Sequence, residues 1–598
     1  MQNINSPHSF HIPVMGLAFT IDSPIKIAKY GISSVISIVD DIIIEKMNEY
    51  YSKKFEIPYK SISKKVEDYR AKRITSYLNT VDTIVKQSFE NLKKSFDEKS
   101  SEFEKYMDML PGFSDIKQNF IKAIQNNTLK EDFNNWIQHN LKPGSIDVNI
   151  MTKLDKVNYN NKEKLPQEYN DAHAALRGFA NSTLESSIVL SAGMNPRLYS
   201  YFENFDDFFP MENNILKKKI ILKVSDFRSA LIQGKFLAKK GLWVSEYRIE
   251  SGLNCGGHAF ATDGYLLGPI LEEFKNNKIS LINDVHTLLI EALKNKGKYT
   301  PSSPLPLNIT VQGGVGTSNE HEFLLENYNL NSIGWGTPFL LVPEATTVDS
   351  TTLNALKNAT EKDLYLSNIS PLGVPFNSLK GNTNEIIKNK RILNNNAGSS
   401  CPKKFLVSNT DYSEKAICTA SKKYQSIKLK ELNNDVLNSE NTKKRAQITD
   451  KACLCEGLAN AALINYDIEQ KGISEGVAIC PGPNMAYFSK ELSLKEMIGH
   501  IYGKTDVISV THRPHMFIKE LEMYIEYFAK KVDEFNNSFS VKQQNYLINF
   551  EQNLNDGIKY YQDLFSSTKK YFKTNKETLL DQLNNLKNKL QNIKVSIA

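Results

Sequence analysis

Three glycine-bearing segments carry the residues best suited to chemistry. The first runs Glu250-Ser251-Gly252-Leu253-Asn254-Cys255-Gly256-Gly257-His258. Glycines let a backbone approach a flat or anionic ligand closely, and a histidine in such a loop can serve as acid, base or hydrogen-bond donor. The second, Val311-Gln312-Gly313-Gly314-Val315-Gly316-Thr317-Ser318, ends where a helix can begin. Unpaired amides at a helix start, with the helix dipole behind them, form a phosphate site. The third, Ile333-Gly334-Trp335-Gly336-Thr337-Pro338-Phe339, adds two glycines and a hydroxyl about 20 residues later. A lone histidine or glycine turn is more often structural than functional; two adjacent glycine turns after successive strands make a stronger signal.

Each segment follows a strand-like run, at residues 242–247, at 308–311 and near Ser332. Upstream, residues 12–16, 23–30 and 34–39 read as strand, helix and strand, the helix opened by Ser-Pro. Strands are predicted again over 187–190 and 220–224, and helices over 227–240, 284–293 and 319–326. This alternation predicts parallel strands with crossover helices, an α/β fold of the (β/α)8 TIM barrel type, whose active sites sit at the carboxyl ends of the strands. Between about 41 and 164 the pattern changes to Lys/Glu/Asn-rich stretches with apolar residues at three and four spacings, as in Ile74, Leu78, Val81 and Val85, predicting a helical insertion. The expected organisation is a barrel start over 1–45, a helical insertion over 46–180, the rest of the barrel and following loops over 181–395, a Cys-rich module over 396–510, and a helical tail over 511–598.

Composition narrows the classes. With 40% hydrophobic and 24% charged residues, the chain has ample material for a core and does not read as disordered. Its charge of +7, from 74 basic and 67 acidic residues, is a small excess without dense basic runs, so neither nucleic acid nor a membrane surface is an expected partner. No apolar run approaches the roughly 20 residues of a bilayer span, and the first residues lack the features of a secretory signal; a cytoplasmic protein is expected.

The order strand, Gly-Gly-His loop, strand, Gly-Gly loop, strand, Gly-Thr-Pro-Phe resembles the nitronate monooxygenase family and the similar FMN-dependent enoyl reductases. Pro13-Val14-Met15-Gly16-Leu17 looks like that family's loop under the isoalloxazine, and Lys223-Val224-Ser225 looks like the strand before its Gly-Gly-His unit. The resemblance covers residues 10–45 and 185–345, under half of the chain. It implies bound FMN, with Met15, Gly16, Lys223, Gly256, Gly257, Gly313, Gly314, Gly334, Gly336 and Thr337 as cofactor-binding residues. It also implies His258 as the catalytic residue, assisting proton removal from a nitronate or protonating a reduced acyl group. Three features depart from the pattern: Pro338 stands where the family usually has Arg, Cys255 where a small residue is common, and the helical insertion falls inside the barrel. Cys255 is a candidate redox partner of the flavin or a small buried thiol.

The family does not account for Cys401, Cys418, Cys453, Cys455 and Cys480, which gather five of the six cysteines into 80 residues. In a reducing compartment such thiols bind an iron–sulfur cluster, such as 4Fe-4S, or zinc more readily than they form disulfides, although the spacing matches no standard ferredoxin or zinc-ribbon signature. All three readings, cluster, zinc or buried thiols, stay open. His500, His512 and His515 near the module read as surface residues, and Glu344 as a loop-ordering or helix-start acid. Leu579, Leu583, Leu586, Leu590, Ile593 and Ile597 repeat at alternating four and three spacing, a heptad seam that packs against the inserted helices of the same chain or makes a homodimer. The expected function is redox chemistry on a small organic substrate, with NAD(P)H or another electron donor. The rival is a non-catalytic flavin- or metal-binding scaffold on the same barrel.

Overall fold

The computed structural model describes residues 6–95, 101–125, 130–160, 163–255, 263–432, 439–468, 475–510, 512–535, 540–573 and 575–593. Gly256, Gly257, His258 and Ile597 lie outside the described residues.

Eight parallel strands close a barrel: β1 (Phe10–Ile12), β2 (Ser33–Ser37), β3 (Ile146–Ile150), β4 (Ser187–Leu190), β5 (Lys219–Val224), β6 (Val244–Glu250), β7 (Asn308–Gln312) and β8 (Ser332–Gly334). Each strand pairs with its sequence neighbours, and β8 returns to β1 through Phe10 opposite Ile333. The strands are short, β-branched and almost wholly buried, as strands covered on both sides must be. A small apolar layer inside the barrel joins Val14, Val35, Val189 and Ile221. The rest of the interior is polar. Arg248 Nε lies 2.7 Å from Glu246 Oε1, which also accepts the Thr310 hydroxyl at 2.6 Å.

The insertion between β2 and β3 is helical, as expected, with α1 (Asp41–Lys54), α2 (Tyr69–Lys94), α3 (Ser101–Met109), α4 (Asp115–Gln125) and α5 (Lys130–Asn140). It is shorter than its expected extent of 46–180, because β3 and α6 (Asp171–Ala180) belong to the barrel. The strand is hard to read in the sequence because Asp147 and Asn149 alternate with Ile146, Val148 and Ile150, the polar pair serving the polar interior. Asp40 caps α1 by accepting the amides of Ile42 and Ile43, and Asp41 holds Arg70 and Arg73 of α2 at 2.7 and 2.9 Å. The insertion is thereby locked onto the end of β2.

Among the crossover helices are α7 (Phe227–Ala238), α8 (Leu267–Asn295) and α9 (Ser318–Asn327). The region after the barrel mixes loops with a two-stranded hairpin of Leu364–Ser367 against Phe376–Leu379 and short helices, among them Thr383–Leu393, Lys422–Leu432, Ser439–Asp450, Leu494–Ile501 and the four-residue α10 (Leu454–Gly457). The tail forms α11 (Met516–Phe535), α12 (Val541–Ser567) and α13 (Lys576–Gln591). Leu579, Leu583, Leu586 and Leu590 are buried as α13 packs on α11 and α12, so the seam is spent within the chain, on the tail's own helices. Among the described residues no helix is long and apolar enough to cross a membrane.

Candidate active site at the barrel mouth

The carboxyl ends of β3, β5, β6 and β7 deliver Asn149, Lys223, Glu250 and Gln312 to one cavity of about 140 Å³. Its apolar walls come from the first barrel loop, through Val14, Gly16 and Leu17, and from the region beyond the barrel, including Phe376, Phe405 and Leu454. Glu250 is the hub. Its Oε1 accepts Gln312 Nε2 at 2.8 Å and Asn254 Nδ2 at 2.9 Å, and Lys223 Nζ stands 3.3 Å away. The Lys223 and Glu250 side chains are 13% and 7% exposed, so the pair is charge-assisted and shielded. With its amide donor committed to Glu250, Gln312 leaves Oε1 buried without a partner, and Asn149 Oδ1 is in the same condition. Each such acceptor costs about 1–3 kcal/mol.

Cys255 also lines the cavity, and its thiol donates to the Cys480 carbonyl at 3.1 Å. Burial and the neighbouring Cys480 push the Cys255 thiol well above its ordinary range, so it stays protonated. That is the opposite of an activated nucleophile. Met15 is fully buried behind the wall rather than on it; its amide donates to Thr20 Oγ1 at 3.3 Å.

The glycines of the second and third segments permit close contact between loops. Gly313 and Gly314 have φ of +104° and +88°, and a Cβ on Gly313 would lie 2.9 Å from the Asn254 backbone. A Cβ on Gly334 would lie 2.6 Å from Gln312 Cβ, so glycine there gives the Gln312 side chain its path. At Gly336 the same atom would approach Cys255 Cβ to 3.3 Å and Pro13 to 3.4 Å.

The expected phosphate end is already furnished by the chain. Glu320, in the first turn of α9, turns back to accept the Gly316 amide at 2.9 Å and the Met516 amide at 2.8 Å, and pairs with Arg513 at 2.7 Å. Arg513 holds the Glu320 carboxyl below the usual range against the desolvation that would raise it. An internal carboxylate thus takes the helix-start amide that an anionic ligand would use. Arg513 Nη2 also donates to the Gly314 carbonyl at 2.7 Å, Asn484 Nδ2 to that of Val315 at 2.8 Å, and Thr337 Oγ1 to that of Pro481 at 2.7 Å. Gly313, Gly314, Gly334, Gly336 and Thr337 do not line the cavity.

These residues allow a split test of the implied FMN. An isoalloxazine carries an imide N–H and two carbonyls; Gln312, Asn149 and Lys223 are complementary to them in kind. The phosphate end does not fit as it stands, because Pro481, Asn484, Arg513 and Glu320 already hold Thr337 and the Gly314–Gly316 turn. Among the described residues no group of three or more His, Cys, Asp or Glu side chains is arranged to hold a single metal ion.

Sequence reasoning missed Glu250 as a functional group, Gln312 and Asn149, whose signal was a polar residue closing a strand otherwise built for burial. It also missed Arg513 and Glu320, far apart in sequence. Of the three histidines read as surface residues, His500 is buried, His515 is half-buried and His512 is exposed. His500 Nε2 meets the Gly316 carbonyl at 2.8 Å, and burial lowers His515 to about 4. Glu344 accepts the amide of Leu494, the first residue of the helix Leu494–Ile501, at 2.9 Å.

No protein-family model and no curated protein matches this sequence. Several solved structures are similar to it, including these three. FabK from Thermotoga maritima shares 10% identity over 88% of this chain and 97% of its own, with a TM-score of 0.35. The enoyl reductase domain of MlnA from the macrolactin biosynthesis cluster of Bacillus amyloliquefaciens shares 12% over 89% and 98%, with a TM-score of 0.38. A nitroalkane oxidase from Streptomyces ansochromogenes shares 9% over 84% and 96%, with a TM-score of 0.34.

Proposed function

We propose that the barrel mouth binds FMN and that the chain is a flavin-dependent oxidoreductase of the nitronate monooxygenase or enoyl reductase type, acting on a small organic substrate. The observation that carries this is the set of unsatisfied buried acceptors on Gln312 and Asn149, beside the Lys223–Glu250 pair, in a cavity at the carboxyl end of a closed parallel barrel. Support comes from this geometry and not from the likeness to the three solved structures.

When bound, FMN supplies the electron transfer. The chain's own residues do the rest. Glu250, held by three donors, fixes Lys223 and Gln312 in place. Lys223 and Gln312 would hold the ring end of the cofactor. Leu17, Phe376 and Leu454 would keep water from it. His258, in the segment that leaves Cys255, is assigned the proton at the reacting carbon of the substrate. Gly313, Gly314, Gly336 and Thr337 would hold the phosphate, which requires Pro481, Asn484, Arg513 and Glu320 to give up the contacts they make there. NAD(P)H is the proposed electron donor.

One observation favours the rival scaffold reading. The phosphate end is closed by Glu320, Arg513 and Pro481, and the cavity of about 140 Å³ is below the 300–1,000 Å³ of ordinary ligand sites. Anaerobic mixing of the FMN-loaded chain with NADPH separates the two: bleaching of the flavin supports the enzyme, and a bound flavin that stays oxidised with NADPH, NADH and dithionite supports the scaffold. In the enzyme, His258→Ala keeps the flavin and loses turnover; unchanged turnover excludes His258.

A further inference from the structure

The fold sorts the six cysteines into a pair and a quartet, which the sequence spacing does not. Cys255 and Cys480 meet at the barrel mouth. The other four come together from three separate loops. Ser399 exchanges backbone hydrogen bonds with Ala420 and Lys422, at 3.0 and 2.8 Å, which draws the Cys401 loop against the Cys418 turn. Gln425 Nε2 then reaches both the Thr419 carbonyl, at 3.4 Å, and the Lys451 carbonyl, at 3.0 Å, tying that turn to the segment that carries Cys453 and Cys455. The Ser399 hydroxyl closes the circuit, accepting the Cys401 amide at 3.2 Å and donating to the Cys453 sulfur.

All four sulfur-bearing residues are buried, at 3–6% exposure. Cys401 faces Cys418 and Cys453 faces Cys455, thiol to thiol, and Cys455 senses the charge of the other three. Backbone amides of Lys404, Ala420 and Glu456 donate to the sulfurs of Cys401, Cys418 and Cys453. Amides aimed at sulfur favour thiolate over thiol, and hydrogen bonds to the sulfurs are a feature of thiolate-held clusters.

We propose that Cys401, Cys418, Cys453 and Cys455 ligate an iron–sulfur cluster at the rim of the barrel mouth. A single zinc ion needs its sulfurs converging at about 2.3 Å on one point, and no such convergence exists among the described residues. A cluster spreads its ligands over several irons, which suits two thiol pairs close enough for Cys455 to sense Cys401 and Cys418. Each thiol that becomes a ligand gives up its proton. Position gives the cluster a purpose. Cys455 and its helix neighbours Leu454 and Leu458 line the same cavity as Lys223 and Gln312, and the Leu458 carbonyl accepts the Leu17 and Ala18 amides at 3.3 and 3.1 Å. The cluster would therefore adjoin whatever the barrel mouth holds. Cys480 is excluded from the ligand set.

The test is iron, zinc and acid-labile sulfide analysis of the full chain, purified without oxygen and again after reconstitution with ferrous iron and sulfide. These readouts do not depend on flavin, so failure of the FMN reading leaves them interpretable. Expected are iron and sulfide in near-equal amounts with a broad visible absorption. Cys418→Ser and Cys455→Ser should each lose most of the iron while Cys480→Ser keeps it. Zinc without sulfide, disulfides joining these cysteines in the anaerobic protein, or no metal after reconstitution would each overturn the assignment. So would iron retained in Cys418→Ser and Cys455→Ser. A folded far-ultraviolet spectrum for the variants removes misfolding as a cause; if either variant is unfolded, reconstitution of the unaltered chain decides alone.

Discussion

Gln312 spends its amide donor on Glu250, at 2.8 Å, and leaves its carbonyl oxygen buried and unpartnered. The residue is thereby oriented in advance: Glu250 fixes which end of the amide points at a ligand. Preorganisation of this kind shifts binding energy from ordering the site to holding the ligand.

Lys223 should be the most sensitive position for ring binding. Lys223→Met removes the ammonium and leaves Glu250 with two neutral donors. A hydrogen bond to a charged group contributes about 1.5–3 kcal/mol, so FMN affinity in a fluorescence titration should fall by about tenfold or more. Unaltered affinity would place the ring elsewhere.

Gly313 and Gly336 should separate strain from simple crowding. Gly313→Ala forces a Cβ into a backbone with φ of +104° and to within 2.9 Å of Asn254. The cost should be about 1–3 kcal/mol or more, seen as a clear fall in the thermal midpoint. Gly336→Ala meets its neighbours only at 3.3–3.6 Å and should cost less. Equal shifts in the two variants would contradict the loop packing described.

Glu520 couples the loop after β6 to pH. Its carboxylate accepts the Gly252 amide at 3.4 Å and the Leu267 amide at 2.9 Å, bracketing the segment that contains His258, and burial raises it to about 7. In the unfolded chain the same group titrates near 4.5. The folded state therefore binds this proton more tightly, and its contribution is lost as pH rises from about 4.5 through about 7. The loss levels off above that, at a few kcal/mol. Glu520→Gln should flatten the thermal midpoint between pH 5 and 8 and raise it at the alkaline end. An unchanged pH profile would refute the coupling.

Much of this was legible in the sequence, and what was hidden has physical reasons. The three glycine segments were placed correctly after β6, β7 and β8, because a glycine turn closing a buried strand is a local signal. β3 was hidden, since Asp147 and Asn149 serve a polar barrel interior and break the apolar run by which buried strands are recognised. The Glu320–Arg513 pair and the four-cysteine grouping join residues from separate loops, and spacing alone does not encode such contacts. The phosphate site shows the limit of motif reading. Glycine turns and a helix start were all present, yet Glu320 occupies the amide they were expected to leave open.

The central claim is that the barrel mouth holds FMN. Release of bound chromophore by denaturing the purified full chain, before and after incubation with FMN and desalting, tests it most directly. The account predicts FMN retained at close to one per chain, and retention reduced in Lys223→Met. A chain that retains no flavin after incubation, while remaining folded, would contradict it.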